Sequence, residues 1–154
     1  MPPGRVEHIH LAGHAGEAMR SIERVRAVAG IGLEGDRYAA GLGRFSQNRK
    51  LSRALTLIEG EVLDALRAES GVDLQPGESR RNLTTRGIAL NPLVGQRFRI
   101  GSVLCQGLAL CEPCEYLMEL IGKPVLDPLL HRGGLRAAIL EGGEIRVGDE
   151  VCLA

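Results

Sequence analysis

Glycine constrains this chain more than any other residue: 21 of its 154 residues are glycine, scattered without a repeat. That is well above the usual share of about 7%. Glycine is favoured where a backbone turns sharply or enters left-handed conformations, so the count implies many tight turns between short segments. Aromatic residues make up only 3% and tryptophan is absent, so the core has to be aliphatic. Domains commonly run to about 100–200 residues. A chain of this size buries roughly 68–70% of its unfolded surface, enough for one core. The expectation is a single domain over residues 1–154, mainly β with a few helices, a β-rich α+β fold of barrel type.

Periodicity places the elements. "RVEHIHLA", Arg5–Ala12, and "SIERVRAVA", Ser21–Ala29, read as the first two strands, and "ALTLI", Ala54–Ile58, as a third. Between them, Gly30–Lys50 is glycine-rich and polar and longer than an ordinary connection of about 4–6 residues, a length typical of functional or disordered loops. "EGEVLDALRAESG", Glu59–Gly71, is the clearest helix: Val62, Leu63 and Leu66 share a face and Gly71 is placed to stop it. "NLTTRGIAL" and "GQRFRIGSVLCQGLALC" read as strands. A second helix is expected over Cys114–Ile121, ended by Gly122 and Pro124. "LRAAILEGGEIRVGDEVCLA" reads as a hairpin turning at Gly142-Gly143, followed by a last short strand.

Lys plus Arg and Asp plus Glu balance at 19 each. No global field therefore recruits nucleic acid or an anionic membrane, and any anion site has to be local. Met1-Pro2-Pro3-Gly4-Arg5 lacks the apolar core of a secretory signal, and no run approaches the ~18 apolar residues of a membrane span. The chain is expected in the cytoplasm, where four cysteines are read as thiols rather than a disulfide framework.

Cys111 and Cys114 flank Glu-Pro in "LCEPCEYLMELIGK". A structural zinc site usually takes four ligands in paired clusters, and no second C-x-x-C exists. His8, His10 and His14 in "HIHLAGH" could complete a composite zinc site, although their default reading is surface imidazoles on a strand and turn. A thioredoxin-like pair calls for a βαβ setting that this chain does not offer. Pro113 suits a first helical turn, and Cys114 behind it would stand where free N–H groups favour a thiolate. Such a thiolate can ligate a soft metal, carry a persulfide or attack an electrophile. Cys105 and Cys152, inside expected strands, read as buried filler.

"GESRRNLTTRG" gathers Arg80, Arg81 and Arg86 near Asn82. Arginine forks take phosphate or carboxylate bidentately, and an asparagine amide offers donor and acceptor to a heterocycle edge. Without interleaved aromatics this is a site for a compact anion rather than for nucleic acid; the alternative is a solvated turn whose arginines pair with Glu78 and other acids. In "LEGDRY", Asp36 reads as a turn aspartate that could also orient a ligand or pair with an arginine, beside Arg37. In "HRGGLRA", Gly133-Gly134 permits close backbone approach, and His131 and Arg132 could line a site. No phosphate-binding P-loop, dinucleotide fingerprint or serine-nucleophile elbow is present.

Taken in order, "GLEGDRY", "ALTLIEGEVLDAL", "PGESRRNLTTRGIALNPLVGQRFRIGSVL", "LCEPC", "HRGGLRA" and "GGEIRVGDEV" resemble the MOSC domain, named after the C-terminal part of molybdenum cofactor sulfurases, with a motif-bearing core over about residues 31–151. The resemblance implies a β-barrel that binds the molybdenum cofactor. Arg80, Arg81 and Asn82 would hold its phosphate and pterin, and Cys114 would ligate molybdenum or carry sulfur as a persulfide, with Cys111 as a possible helper. Two activities follow from the resemblance: reduction of N-hydroxylated compounds with electrons from a separate reductase, or sulfur transfer from a cysteine desulfurase. The chain lacks the extra N-terminal region of the reductases. It also lacks the aminotransferase-like domain of the sulfurases, so pyridoxal phosphate is not expected.

Overall fold

The computed structural model of the protein describes residues 2–14, 16–40 and 54–154. Its strands are β1 (Gly4–Leu11), β2 (Arg20–Ile22), β3 (Arg24–Val28), β4 (Gly32–Leu33), β5 (Leu55–Glu59), β6 (Leu83–Arg86), β7 (Arg97–Ile100), β8 (Val103–Leu110), β9 (Leu135–Glu141), β10 (Gly143–Arg146) and β11 (Glu150–Leu153). Helices are α1 (Arg37–Ala40), α2 (Gly60–Ser70), α3 (Glu115–Ile121) and α4 (Leu126–Leu129), with a 3-10 turn at Asn91–Leu93.

Seven strands form a closed barrel in the order β11-β7-β8-β9-β5-β6-β1, shut by pairing of β1 with β11. All neighbours run antiparallel except β5 and β6, which are parallel. Parallel neighbours need a crossover, and α2 supplies it. On β5, Leu55 and Leu57 belong to the barrel interior with Val6, Leu83 and Phe98, whereas Ile58 points outward beneath Val62, Leu63 and Leu66 of α2. Both faces of this strand are therefore covered, which is why "ALTLI" is nearly continuous in apolar character. Leu117 of α3 and Leu129 of α4 extend the outer cluster. The outward face of β5, β6 and β1 also carries Thr56, Asn82, Thr84, His8 and His10, from the pairings of Ile58 with Thr84 and of Thr84 with His8.

The glycine-rich turns and the helix before Gly71 follow the sequence reading, with Gly71 left-handed (φ 67°) and its N–H donating to the Leu66 carbonyl. Three expectations change. The stretch 21–29 is two strands broken at Glu23: β2 extends β1 of the barrel, and β3 joins a separate three-stranded sheet, β10-β3-β4. Leu135–Glu141 and Gly143–Arg146 do not form a hairpin. Both edges of β9 are taken by β5 and β8, so β10 pairs with β3 and buries Ile145 beside Val25 and Ala27. The strand expected over 82–90 stops at Arg86, because Gly87 turns left-handed (φ 89°). Of the long segment 30–50, residues 30–40 contain β4 and α1, and 41–50 lie outside the described residues. No helix among the described residues is long and apolar enough to cross a membrane.

Candidate functional site

Three motifs that are far apart in sequence meet through one side chain. Arg81, at the entry to β6, is buried. Its Nε donates to the Gly133 carbonyl (2.8 Å), Nη2 to the Cys111 carbonyl (2.9 Å) and Nη1 to the Ser79 carbonyl (3.4 Å). The Cys111 N–H donates to the Gly134 carbonyl at 2.7 Å. The two glycines are steric necessities here: a Cβ on Gly133 would lie 2.4 Å from the Cys111 carbonyl oxygen, and one on Gly134 (φ 116°) 2.1 Å from that of Leu57. Glu112, between the two cysteines, closes the junction. It accepts the His131 N–H at 2.9 Å and pairs with the imidazole Nδ1 at 3.1 Å. His131 is left-handed (φ 62°) and largely exposed, and its carbonyl accepts from the Asn91 amide. Arg132 faces away from this junction, toward Pro128 and Glu69.

Asn82 is wholly buried and every position of its amide is used. Oδ1 accepts from the Thr56 N–H (3.2 Å) and hydroxyl (3.1 Å), and Nδ2 donates to the His10 carbonyl (3.2 Å) and Asp36 (3.3 Å). Asp36, also wholly buried, accepts in addition from the Ala12 N–H and from Arg37. Arg37 is itself buried, with Nη1 against the Met19 sulfur. An asparagine offers at most four such bonds, so Asn82 works as a joint between β1, β5 and the "EGDR" turn. Arg86, at the far end of β6, is ion-paired with Glu7 and Asp64. Those carboxylates hold its pKa above the usual range, and it stands apart from Arg80 and Arg81.

The four thiols differ. Cys105 lies inside the barrel, and burial pushes it up to about 12. Cys111 is 4% exposed, Cys152 is half-buried, and Cys114 alone of the four is exposed. Cys114 is the residue before α3, in extended conformation (φ −137°, ψ 168°). Pro113 consequently precedes the helix instead of occupying its first turn: the pinned Cys111 loop has to leave the barrel extended before the chain can coil.

Beside α3, a cleft of about 550 Å³ opens between β1, residues 16–19, the turn 75–80 and the end of the helix. Its polar lining includes His8, His10, Glu78 and Arg80; Met19, Leu120 and Ile121 are among its apolar walls. Arg80 holds a left-handed backbone (φ 65°) and donates to the Glu17 carbonyl. Glu78, expected beside the arginines, is paired with Lys123 at 2.9 Å. His10 is not a surface imidazole. It is 9% exposed, and its Nδ1 has no hydrogen-bond partner. Its pKa is lowered, first by burial and then by the charge of His8. No group of three or more His, Cys, Asp or Glu among the described residues is placed to hold a metal ion.

The sequence reading thus missed Glu112 and the burial of His10. An acid inside the C-x-x-C and a histidine at an alternate strand position carried no pattern beyond a solvated surface. Only the meeting of separate segments reveals their partners.

Comparison with known proteins gives a consistent family and fold. The model described as MOSC domain matches residues 22–152. The YuaD protein of Bacillus subtilis superposes with a TM-score of 0.79 at 18% identity, covering 97% of this chain and 94% of that one. YiiM of Geobacillus stearothermophilus gives 0.75 at 15% identity (99% and 75% covered), and YiiM of Escherichia coli 0.66 at 19% (97% and 69%). At these identities the neighbours share the fold. No curated protein matches at a significant level.

Proposed function

The chain belongs to the MOSC domain family, and on that premise we propose that it is a molybdenum-cofactor-binding protein whose Cys114 thiolate ligates the metal. The observation that carries this reading is the exposure of Cys114 alone among the four thiols, on a loop anchored by Arg81 and Glu112. A soft thiolate suits molybdenum, and a guanidinium fork suits a phosphate.

Arg80 lines an open cleft and Cys114 is exposed, which supports these two as the residues that would touch a ligand. Cys114 precedes α3 and Leu120 and Ile121 end it at the cleft, a span of about 10 Å at 1.5 Å per residue. This donor set fits a group with a soft metal at one end and a phosphate at the other. Arg81 and Asn82 act behind them: Arg81 fixes the Cys111 carbonyl, and Asn82 fixes the strand entry from which Arg80 projects. When bound, the metal centre would supply two-electron reduction of an N-hydroxylated substrate, with electrons from a separate reductase. Protein purified from a cofactor-producing host should contain molybdenum and pterin, and Cys114→Ser should lose the metal while keeping its fold. Wild-type protein with neither molybdenum nor pterin would overturn the reading.

The same thiol supports a second reading, as a sulfur carrier, favoured by the exposed Cys114 beside the shielded Cys111. The Cys114 thiolate attacks the outer sulfur of a desulfurase persulfide. A new S–S bond forms at Cys114, the donor's S–S bond breaks, and the donor cysteine leaves as a thiolate, so no external oxidant is needed. Incubation with a desulfurase and cysteine should add about 32 Da, removable by reductant and absent in Cys114→Ser. An unchanged mass would exclude it.

A further inference from the structure

The small sheet β10-β3-β4 has one face taken by the core and one left to solvent. Val25, Ala27 and Ile145 are buried in the barrel cluster, so the alternate residues Arg24, Arg26, Glu144 and Arg146 point outward. The register sets Glu144 opposite Arg26 and Arg146 opposite Arg24. One residue further on, the Val147 N–H donates to the Glu23 carbonyl (3.0 Å), which makes those two a hydrogen-bonded pair. Such pairs alternate with non-bonded ones whose Cα atoms approach to about 4.5 Å, so Arg146 and Arg24 face each other at the closer spacing. Like charges placed directly opposite destabilise a sheet.

Little in the chain answers this charge. Glu144 bonds Arg146, and its carboxyl is held below the ordinary range by that bond first and then by the charges of Arg146, Arg24 and Arg26. Glu34 lies beside Arg26, with its N–H donating to the Arg26 carbonyl (2.9 Å), and is a strand away from Arg146. Arg24 is exposed and forms no ion pair among the described residues. Three guanidiniums thus surround one carboxylate, in a chain whose overall charge is zero.

We propose that this face is a docking surface for an acidic protein partner, with Arg24 and Arg146 together taking its carboxylates. Guanidinium forks pair bidentately with carboxylates, and arginine is enriched at protein interfaces. Carboxylates from a partner relieve the opposed arginines, which no group of this chain does for Arg24. Glu144 and Glu34, interleaved with the arginines, disfavour a nucleic acid or an anionic bilayer, whose negative charge is continuous. A protein surface presents its acids at separate points and can match the pattern.

The probe is hexaglutamate, titrated into the isotope-labelled chain at about 20 mM salt, with a short DNA duplex and phosphatidylserine vesicles as the competing anions. Amide signals over 24–26 and 144–147 should shift, with a Kd below about 1 mM that weakens at least about tenfold near 0.2 M salt. Glu144→Gln should tighten binding about threefold, because the competing carboxylate is gone. Arg24→Glu should weaken it about tenfold and yet raise the melting temperature by about 1–3 °C, since an opposite-charge pair replaces a like one. Stability gained as binding is lost marks a residue kept for a partner rather than for the fold. A Kd above about 1 mM, shifts confined to other surfaces, or tighter binding of the duplex or the vesicles would overturn the proposal. So would a lower melting temperature for Arg24→Glu, or unchanged affinity. The readout involves neither the cleft nor the thiol, so this surface and the Cys114 reading fail separately.

Discussion

Asn82 has four hydrogen-bond positions and spends all of them on the protein itself. Truncating it removes the partner of the Thr56 N–H in a dry setting and one bond each from the Thr56 hydroxyl, the His10 carbonyl and Asp36, which still accepts from the Ala12 N–H and Arg37. Such an orphan costs about 1–3 kcal/mol. Asn82→Ala is expected to lose roughly 3–5 kcal/mol in denaturant unfolding, among the larger single-residue effects. A ligand-contact role alone would leave stability near wild type, so the measurement separates the two. His10 makes a second prediction. Its pKa lies below the ordinary 6.5 because burial, and then the His8 charge, disfavour the protonated form. Below pH 6.5 the unfolded chain takes up a proton that the folded chain resists, so stability falls as pH drops through that window. Melting temperature should decline from pH 7 to 5, and His10→Phe should flatten the curve. Glu59, raised above its usual value mainly by burial, acts oppositely, losing stability as pH rises. The difference between wild type and variant isolates His10. From sequence, Arg81 and Asn82 stood out as polar residues of uncommon density, but whether they face a ligand or the protein depends on partners 26 to 72 positions away.

Elements are positioned by backbone contact as much as by side chains. Gly134→Ala puts a methyl group 2.1 Å from the Leu57 carbonyl oxygen, against backbone that has no room to yield, at a positive φ. Gly71→Ala shares the positive φ but meets nothing within 4 Å. Thermal unfolding should therefore show a loss of about 1 kcal/mol for Gly71→Ala and several times that for Gly134→Ala. Arg81→Lys tests the loop junction: a single ammonium cannot span the carbonyls of Gly133 and Cys111 as a guanidinium does. It should lower stability by about 1–3 kcal/mol and loosen the Cys111 loop, seen as faster amide exchange at residues 111, 112, 114 and 115. Helix α2 was legible because its apolar face, first-turn acid and terminal glycine agree. The pairing of β10 was not, since a Gly-Gly between two strands suggests a hairpin unless both edges of the preceding strand are already occupied.

At the scale of the molecule, closure removes the exposed edges that an open sheet presents for aggregation. β11 provides it, pairing with β1 through Gly4–Val151 and with β7 through Val151–Ile100. Deleting residues 150–154 opens the edges of β1 and β7 and removes Val151 from the core. The truncated chain should lose cooperative unfolding and aggregate, as followed by circular dichroism and light scattering. Composition and periodicity were sufficient for the class of fold: many glycines imply short strands, few aromatics an aliphatic core, and alternating residues an inside and an outside. Those are local properties, set by φ preferences and by which face of a strand is apolar. The tertiary structure alone decided which strands pair, that Asn82 and Arg81 bond to the frame, that Glu112 locks the Cys111 loop, and that His10 is buried behind the Gly77 turn. Each of these depends on contacts between segments distant in the chain, and a hydrogen bond has no counterpart in sequence until both partners are brought within about 3 Å of one another.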